Sequence, residues 1–265
     1  MGLSIQISPQ QLVAPVIDSR QVMPGVFYLK LKAPPVASLA RPGQFAMLGC
    51  GPDVLLRRPL SFHNANSDTG EVAFLYGVVG RGTRWLSQLK PGDTVDILGP
   101  LGNGFTIKPD SKNILIIAGG MGVAPLCFLA RRAQDGGRSV TLLLGAASAA
   151  NLCPAELLPA AATCQTATED GSAGVKGLIT DCLPQYIDKA DQVFACGPLP
   201  MYRTLAKELS LQGKPVQVSL EVRMACGLGV CYGCSIKTRD GMKKVCRDGP
   251  VFSMQEVAWE ELAGV

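Results

Sequence analysis

Four cysteines near the end of the chain are the residues whose type and spacing best suit chemistry. Cys226, Cys231, Cys234 and Cys246 form the pattern C-x4-C-x2-C-x11-C. The spacing of the first three is one that holds [2Fe–2S] clusters, and four thiolates are the ligands that such a cluster needs. Glycines between them permit the positive φ angles and the close backbone approach of a loop that wraps a cluster. The spacing therefore predicts an iron–sulfur centre.

Two other uses of these thiols compete with a cluster. Structural zinc sites usually carry two matched C-x2-C pairs, and this segment has only one, Cys231 with Cys234. A disulfide scaffold has a higher density than ten cysteines in 265 residues, and the opening residues lack a secretory pattern. We therefore expect reduced thiols and a cytoplasmic location, with a zinc-stabilised binding module as the alternative. The cysteines predicted to be buried small hydrophobes or ordinary surface thiols are Cys50, Cys127, Cys153, Cys164 and Cys182.

Charge and hydropathy exclude two classes of function. The net charge of +4 comes from 25 basic and 21 acidic residues without a long basic run, so we expect no nucleic-acid binding. The longest apolar runs, at 114–120 and 139–147, are far shorter than the roughly 20 residues of a membrane helix, so we expect no membrane span. A chain of 265 residues exceeds one comfortable core, which favours two domains and a small appendage.

The elements that position the cysteines begin with a β-rich region from residue 11 to about 104. Short runs such as VFYLKLKAP, RRPLSFHNA and GEVAFLYGVVG alternate with Pro and Gly, which predicts an antiparallel β-barrel. The pattern breaks after Gly80, where we predict a short helix with Thr83 as its N-cap. Together with Gly82, this helix start offers free N–H groups to an anion such as a diphosphate.

The middle of the chain alternates buried strands with helices, which predicts a parallel, doubly wound α/β sheet. The predicted strands are Asn113–Ala118, Val140–Gly145, Thr163–Thr168, Gln192–Cys196 and Val216–Leu220, and the helices are Ala124–Asp135 and Pro200–Gln212. The turn GGMGVAPL after the first of these strands allows a backbone to approach a pyrophosphate at a helix N-terminus. The segment GAASAANLC after the second strand lacks a Lys or Arg to hold a 2′-phosphate, which favours NAD(H) over NADP(H), although no acidic residue closes that strand.

Three motifs resemble the ferredoxin reductase superfamily: R-P-x-S at 58–61, G-G-x-G-x-x-P at 119–125 and C-G-P at 196–198. The resemblance implies that FAD binds to Arg58, Pro59, Leu60, Ser61, Leu75, Tyr76, Gly77, Gly82 and Thr83. It implies that the nicotinamide nucleotide binds to Gly119, Gly120, Gly122, Pro125, Cys196, Gly197 and Pro198. Arg58 would pair with the diphosphate and Ser61 would approach the isoalloxazine ring. The alternatives are a solvated surface charge for Arg58 and a buried core thiol for Cys196. For His63, the only histidine, we expect a packing or flavin-adjacent role rather than acid–base chemistry.

The order of these parts, with SLEVRMACGLGVCYGCSIKT and VCRDGPVF, resembles the dihydroorotate dehydrogenase electron transfer subunits. The resemblance implies a FAD-binding β-barrel domain at 1–106, an NAD-binding α/β domain at 107–216 and a [2Fe–2S] module at 217–265. It also implies a partner, the FMN-containing catalytic subunit that oxidises dihydroorotate in pyrimidine (UMP) biosynthesis, in a heterotetramer with two copies of each.

The implied function is an oxidoreductase subunit that passes electrons from FMN through [2Fe–2S] and FAD to NAD+. A flavin is needed between the other two carriers because nicotinamide exchanges electrons in pairs and a cluster takes them singly. No acid–base catalytic residue is expected in this chain. The alternative is a flavin and iron–sulfur subunit of an NAD(P)H-dependent ferredoxin or sulfide oxidoreductase.

Overall fold

The first part of the chain forms a closed, six-stranded antiparallel barrel, as predicted. The computed structural model describes residues 8–160, 162–208 and 213–262. The barrel strands are β1 (Gln10–Met23), β2 (Val26–Lys32), β3 (Phe45–Leu48), β4 (Arg58–Asn66), β5 (Glu71–Gly77) and β6 (Thr94–Leu101), which pair in the order β1-β2-β5-β4-β3-β6. A short helix, α1 (Pro34–Ala37), follows β2. Alternate side chains of the strands, among them Leu29, Phe62 and Phe74, fill the interior and are fully buried.

The predicted helix of the barrel is α2 (Arg81–Leu86), and its N-cap is Gly80 rather than Thr83. The prediction for the cap is therefore wrong. Thr83 is the third helical residue, and its Oγ1 accepts the N–H groups of Val79 at 3.0 Å and Gly80 at 3.2 Å. A polar side chain at this position reaches back to the N-cap backbone, as the third residue of a capping box does.

The second part is the predicted parallel sheet. Its elements are β7 (Asn113–Gly119), α3 (Val123–Asp135), β8 (Ser139–Ala146), β9 (Thr163–Thr168), β10 (Val175–Lys176), β11 (Gln192–Cys196), α4 (Leu199–Lys207) and β12 (Val216–Ser219). The strand order β10-β9-β8-β7-β11-β12 reverses direction at β7, which confirms a doubly wound sheet. The helix predicted to reach Gln212 ends at Lys207, and residues 209–212 lie outside the described residues.

The cysteine-rich segment lies between two strands of this same sheet. It contains the hairpin β13 (Ser235–Thr238) and β14 (Gly241–Lys244) and the short helix α5 (Val245–Asp248). The chain then returns as β15 (Val251–Ser253), which pairs antiparallel with β12 at the sheet edge. The N–H of Leu220 donates to the carbonyl of Pro250 at 2.9 Å, so the two ends of the segment are joined.

The three parts share buried apolar contacts. One cluster of buried side chains includes Met47 and Leu101 from the barrel, Ile117 from the sheet, and Ile236 and Cys246 from the cysteine-rich segment. Burial of this shared surface holds the cysteine-rich segment against both other parts. In the described ranges, no helix is both long enough and apolar enough to span a bilayer.

Candidate functional site

The cysteine loop brings backbone N–H groups to its sulfur atoms. The Sγ of Cys226 accepts from the N–H of Leu228 at 3.4 Å, and the Sγ of Cys246 accepts from the N–H of Gly229 at 3.1 Å. The Sγ of Cys234 accepts from the N–H of Cys246 at 3.5 Å. Hydrogen bonds of this kind stabilise ligating thiolates and tune the potential of a cluster.

The same loop shifts the pKa values of two of the thiols in opposite directions. Burial raises the pKa of Cys226, but hydrogen bonds from Leu228 and Cys231 outweigh it and lower that pKa to about 6. Burial, and then the neighbouring Cys234 thiol, raise the pKa of Cys246 to about 12. Within the described residues, no three His, Cys, Asp or Glu side chains are grouped so as to hold a single metal ion. The four thiols, three of which accept backbone N–H groups, are a donor set that fits an iron–sulfur cluster.

The outer surface of this loop is apolar. The side chains of Leu228, Val230 and Tyr232 are 49%, 71% and 67% exposed, and Cys231 beside them is exposed too. Among the described non-glycine residues only Tyr232 has a positive φ, at 60°. The ammonium of Lys244 lies 4.4 Å from the centre of its ring. An apolar patch next to cluster ligands is typical of a surface that another protein covers.

The predicted flavin residues border an opening in the barrel wall. In the strands that the structure describes, residues 58–61 of β4 pair only with β3, and residues 75–77 of β5 pair only with β2. Pairing between β4 and β5 starts at Phe62 and Phe74. The strands therefore separate with Arg58–Ser61 on one side and Leu75–Gly77 on the other.

The two adjacent arginines at this opening have different partners. The Nε of Arg57 forms an ion pair with Asp96 at 2.6 Å. The Nη1 of Arg58 donates to the carbonyls of Leu56 at 2.7 Å and Arg57 at 3.3 Å, and in the described part of the chain Arg58 has no carboxylate partner. A Cβ at Gly82 would lie 3.0 Å from the Nε of Arg58, so glycine is what permits α2 to approach this guanidinium. Arg58 thus remains available for a phosphate.

An unpaired polar atom marks the same opening. Tyr76 is 3% exposed, and its buried hydroxyl has no hydrogen-bond partner among the residues that the structure describes. Burial, followed by the nearby Cys50 thiol, raises the pKa of Tyr76. A buried hydroxyl normally has a partner, so this atom fits an opening that receives a ligand. The strand separation, Arg58, Gly82 and Tyr76 together fit a bound flavin nucleotide.

His63, also on β4, contacts helix α3 of the nucleotide sheet. Its Nδ1 is 3.2 Å from the carbonyl of Ala124 on α3, and burial followed by the charge of Arg131 lowers its pKa to about 4. The Nη1 of Arg131 also donates to the carbonyl of His63 at 3.1 Å. His63 therefore packs between the barrel and the nucleotide sheet.

A cleft of about 510 Å³ lies where the strand order reverses, between the ends of β7 and β11. This is the position where open α/β sheets bind ligands, and the volume suits one. Of the residues predicted to bind the nucleotide, those lining the cleft are Gly119, Gly120, Gly122, Gly197 and Pro198. Cys196 and Pro125 are buried beside it and do not line it.

The glycines of the first turn serve two purposes. A Cβ at Gly122 would lie 2.0 Å from the carbonyl oxygen of Cys196, and one at Gly119 would lie 2.8 Å from the Cδ of Pro198. Gly120 has a φ of 53° with open space beside it. Two of these glycines therefore allow the turns to pack together, and Gly120 leaves its backbone open to a ligand.

Two carboxylates of the cleft were not among the predicted residues. Glu169, after β9, and Glu221, after β12, both line it, and no Lys or Arg does so among the described residues. The acidic residue sought after the second strand of the sheet is found after the third. Strand order places the ends of β8 and β9 side by side, which the sequence pattern alone does not state.

Comparison with known proteins agrees with this geometry. Residues 221–258 match the family model of the iron-sulfur cluster binding domain of dihydroorotate dehydrogenase B, which favours iron over zinc. The dihydroorotate dehydrogenase B (NAD(+)) electron transfer subunit of Desulforamulus reducens is 40% identical over 256 residues, which cover 93% of this chain and 98% of that protein. The subunit of the same description from Bacillus caldolyticus is 39% identical over 249 residues, 91% of this chain and 96% of that protein.

A solved structure extends the similarity to three dimensions. The structure described as an NADH-dependent reduced ferredoxin-NADP oxidoreductase, in a study of flavin-based electron bifurcation, superimposes with a TM-score of 0.86. It is 32% identical, and the match covers 95% of this chain and 91% of that chain. With relatives this similar over nearly their whole length, the chain belongs to the family of dihydroorotate dehydrogenase B electron transfer subunits.

Proposed function

We propose that this chain carries electrons from the FMN of a catalytic partner subunit, through [2Fe–2S] and FAD, to NAD+. The observation that carries the proposal is the sequence of contacts between the three sites. A Cβ on Gly227 of the cysteine loop would lie 2.7 Å from Met47 on β3, the strand that borders the flavin strand β4. On the far side of the opening, β5 contacts the glycine turn at 120–122. The flavin opening therefore lies between the cysteine loop and the nucleotide cleft.

Each predicted residue has a task in this arrangement. When bound, the flavin links the paired electrons of nicotinamide to the single electrons of the cluster. Arg58 binds the FAD diphosphate together with the first N–H groups of α2, at Gly82 and Thr83. Residues 59–61 and 75–77 line the ring from the two separated strands. The turns at 119–125 and 196–198 hold the nucleotide, and Cys226, Cys231, Cys234 and Cys246 ligate the cluster.

The partner is the FMN-containing subunit that oxidises dihydroorotate in pyrimidine biosynthesis, in a heterotetramer of two copies of each. The apolar patch of Leu228, Val230 and Tyr232 supports docking of that subunit beside the cluster. We place the complex in the cytoplasm, where a reducing environment keeps the thiols available for iron. The proposed division remains 1–106 for FAD, 107–216 for NAD and 217–265 for the cluster, with strands β12 and β15 of the third part pairing in the nucleotide sheet.

Co-expression with the catalytic subunit tests the proposal. The purified complex should show flavin and reducible [2Fe–2S] absorption, contain FAD and FMN, and reduce NAD+ with dihydroorotate. A two-to-two mass is expected from native mass spectrometry. Cluster absorption that is missing from freshly isolated, anaerobically prepared protein, or turnover of dihydroorotate without NAD+ reduction, would refute it.

A second candidate function follows from the solved structure with a TM-score of 0.86. In that case the chain would serve an NAD(P)H-dependent ferredoxin or sulfide oxidoreductase. Affinity purification from the native cell separates the two candidates. A partner with several [4Fe–4S] clusters supports the second, and an FMN protein that oxidises dihydroorotate supports the first.

A further inference from the structure

Tyr202, on α4, lines the nucleotide cleft, and its hydroxyl joins two strand ends there. The N–H of Gly197 donates to the Tyr202 hydroxyl at 3.0 Å, and this hydroxyl donates to the carbonyl of Ser219, the last residue of β12. Tyr202 and Ser219 are 3% and 1% exposed. Because a phenol both donates and accepts, one buried hydroxyl satisfies the N–H of the turn and the carbonyl of the next strand. The turn at 196–198 is thereby fixed relative to β12.

The ring of Tyr202 is held in turn by Trp259. The two ring centres are 5.2 Å apart and the ring planes differ by 24°. The Nε1 of Trp259 donates to the carbonyl of Met254 at 2.9 Å, and the Nε of Arg203 donates to the carbonyl of Trp259 at 3.3 Å. Both the side chain and the backbone of Trp259 therefore have fixed partners.

The residues just before Trp259 are bonded to the hairpin of the cysteine-rich segment. The N–H of Ala258 donates to the carbonyl of Lys237 at 3.3 Å, and the N–H of Arg239 donates to the carbonyl of Glu256 at 2.9 Å. Continuous contacts thus run from β13 through Trp259 and Tyr202 to Gly197. The turn predicted to face nicotinamide is supported by chain that follows the cluster ligands.

We propose that Tyr202 is a positioning residue for NAD(H), acting through the N–H of Gly197, and that its stacking on Trp259 makes this support depend on the cysteine-rich segment. The inference rests on the proposed nucleotide site. Orientation of the nicotinamide matters because small misplacements of reacting groups cost large factors in rate. A tyrosine that served folding alone would change stability without changing turnover.

Tyr202→Phe tests the role of the hydroxyl, since it keeps the ring and removes only the bridge. The assay is NADH oxidation with ferricyanide by the complex with its catalytic subunit. We expect kcat/KM for NADH to fall about tenfold or more, and kcat to fall as well. The FAD content and the cluster absorption should stay unchanged. The matched control is Tyr186→Phe, which removes a hydroxyl bonded to Gln165 at 3.0 Å away from the cleft and should leave kcat/KM within about twofold.

Substitutions at Trp259 test the second half of the proposal. Trp259→Leu should lower kcat/KM for NADH, and Trp259→Phe, which keeps an aromatic ring against Tyr202, should restore most of it. If Tyr202→Phe does not fold, the comparison of kcat/KM for NADH between the two Trp259 variants tests the proposal instead. Kinetics of Tyr202→Phe equal to those of Tyr186→Phe, or equal kinetics of the two Trp259 variants, would overturn the inference. Failure of the wild-type complex to oxidise NADH would overturn the nucleotide site itself.

Discussion

His63 makes acid pH a probe of the contact between the barrel and the nucleotide sheet. Its ring is 1% exposed, its Nδ1 lies 3.2 Å from the carbonyl of Ala124, and its Nε2 has no hydrogen-bond partner within the described ranges. Burial, followed by the charge of Arg131, lowers its pKa from 6.5 to about 4. Protonation would therefore place an uncompensated charge between β4 and α3.

The sign and size of the effect follow from the two pKa values. Because the folded pKa is below the unfolded one, the unfolded chain takes up the proton first as the pH falls. The stability contributed by the neutral ring is complete above about pH 6.5 and is lost progressively down to about pH 4. The total loss is about 3 kcal/mol, of which about 2 kcal/mol has occurred by about pH 5.

Urea unfolding of the wild type and of His63→Phe at about pH 7 and about pH 5 measures this contribution. For each protein, the difference in the free energy of unfolding between the two pH values is taken, and the two differences are then subtracted. The contributions of carboxylates that titrate in both proteins cancel in this subtraction, as does any pH-independent cost of the substitution. The wild type should lose about 2 kcal/mol more than the variant between the two pH values. Equal losses in both proteins would show that His63 is not held neutral by its surroundings.

Three further substitutions test the cofactor sites. Arg58→Ala should raise the dissociation constant of FAD about 10- to 150-fold, for a loss of roughly 1.5 to 3 kcal/mol, as measured by flavin fluorescence. Arg57→Ala, which removes a partly exposed ion pair, should leave that constant unchanged and lower stability by about 1 kcal/mol at most; equal FAD affinities would mean that Arg58 is a surface charge. Cys246→Ala should abolish cluster absorption and dihydroorotate-linked NAD+ reduction while NADH still reduces FAD, and retained NAD+ reduction would contradict the proposed order of carriers. Glu169→Gln should raise kcat/KM for NADPH relative to NADH roughly tenfold, because a carboxylate repels a 2′-phosphate by about 1.4 kcal/mol over a few ångströms; an unchanged ratio would remove Glu169 from nucleotide selection.

Local pattern predicted the elements well. Strands Thr163–Thr168 and Gln192–Cys196 have the expected bounds, and the barrel and the doubly wound order are as predicted. These features depend on period and turn chemistry, which nearby residues encode. The prediction for the N-cap of α2 was wrong because a threonine hydroxyl can act from the N-cap position or bond back to the N-cap from the third helical position. Thr83 does the second with Gly80, and the sequence does not choose between the two.

Features that depend on register between distant strands were not predictable. The opening between β4 and β5 arises because these two strands start to pair at Phe62 and Phe74. The residues of β4 before Phe62, 58–61, pair with β3 instead. The role of Glu169 depends on β9 lying beside β8, and the bridge through Tyr202 depends on β11 lying beside β12. Each brings together residues whose separation along the chain hides their proximity.

The hydrogen bond between Leu220 and Pro250 holds the two ends of the cysteine-rich segment in contact. Truncation after Leu220 would also remove β15 and bare the edge of β12, inviting aggregation. Excision of the cysteine-rich segment, with Leu220 joined directly to Pro250, would keep that edge covered. A gene could thus gain or lose the metal centre by insertion or deletion at one place, leaving the sheet edge closed.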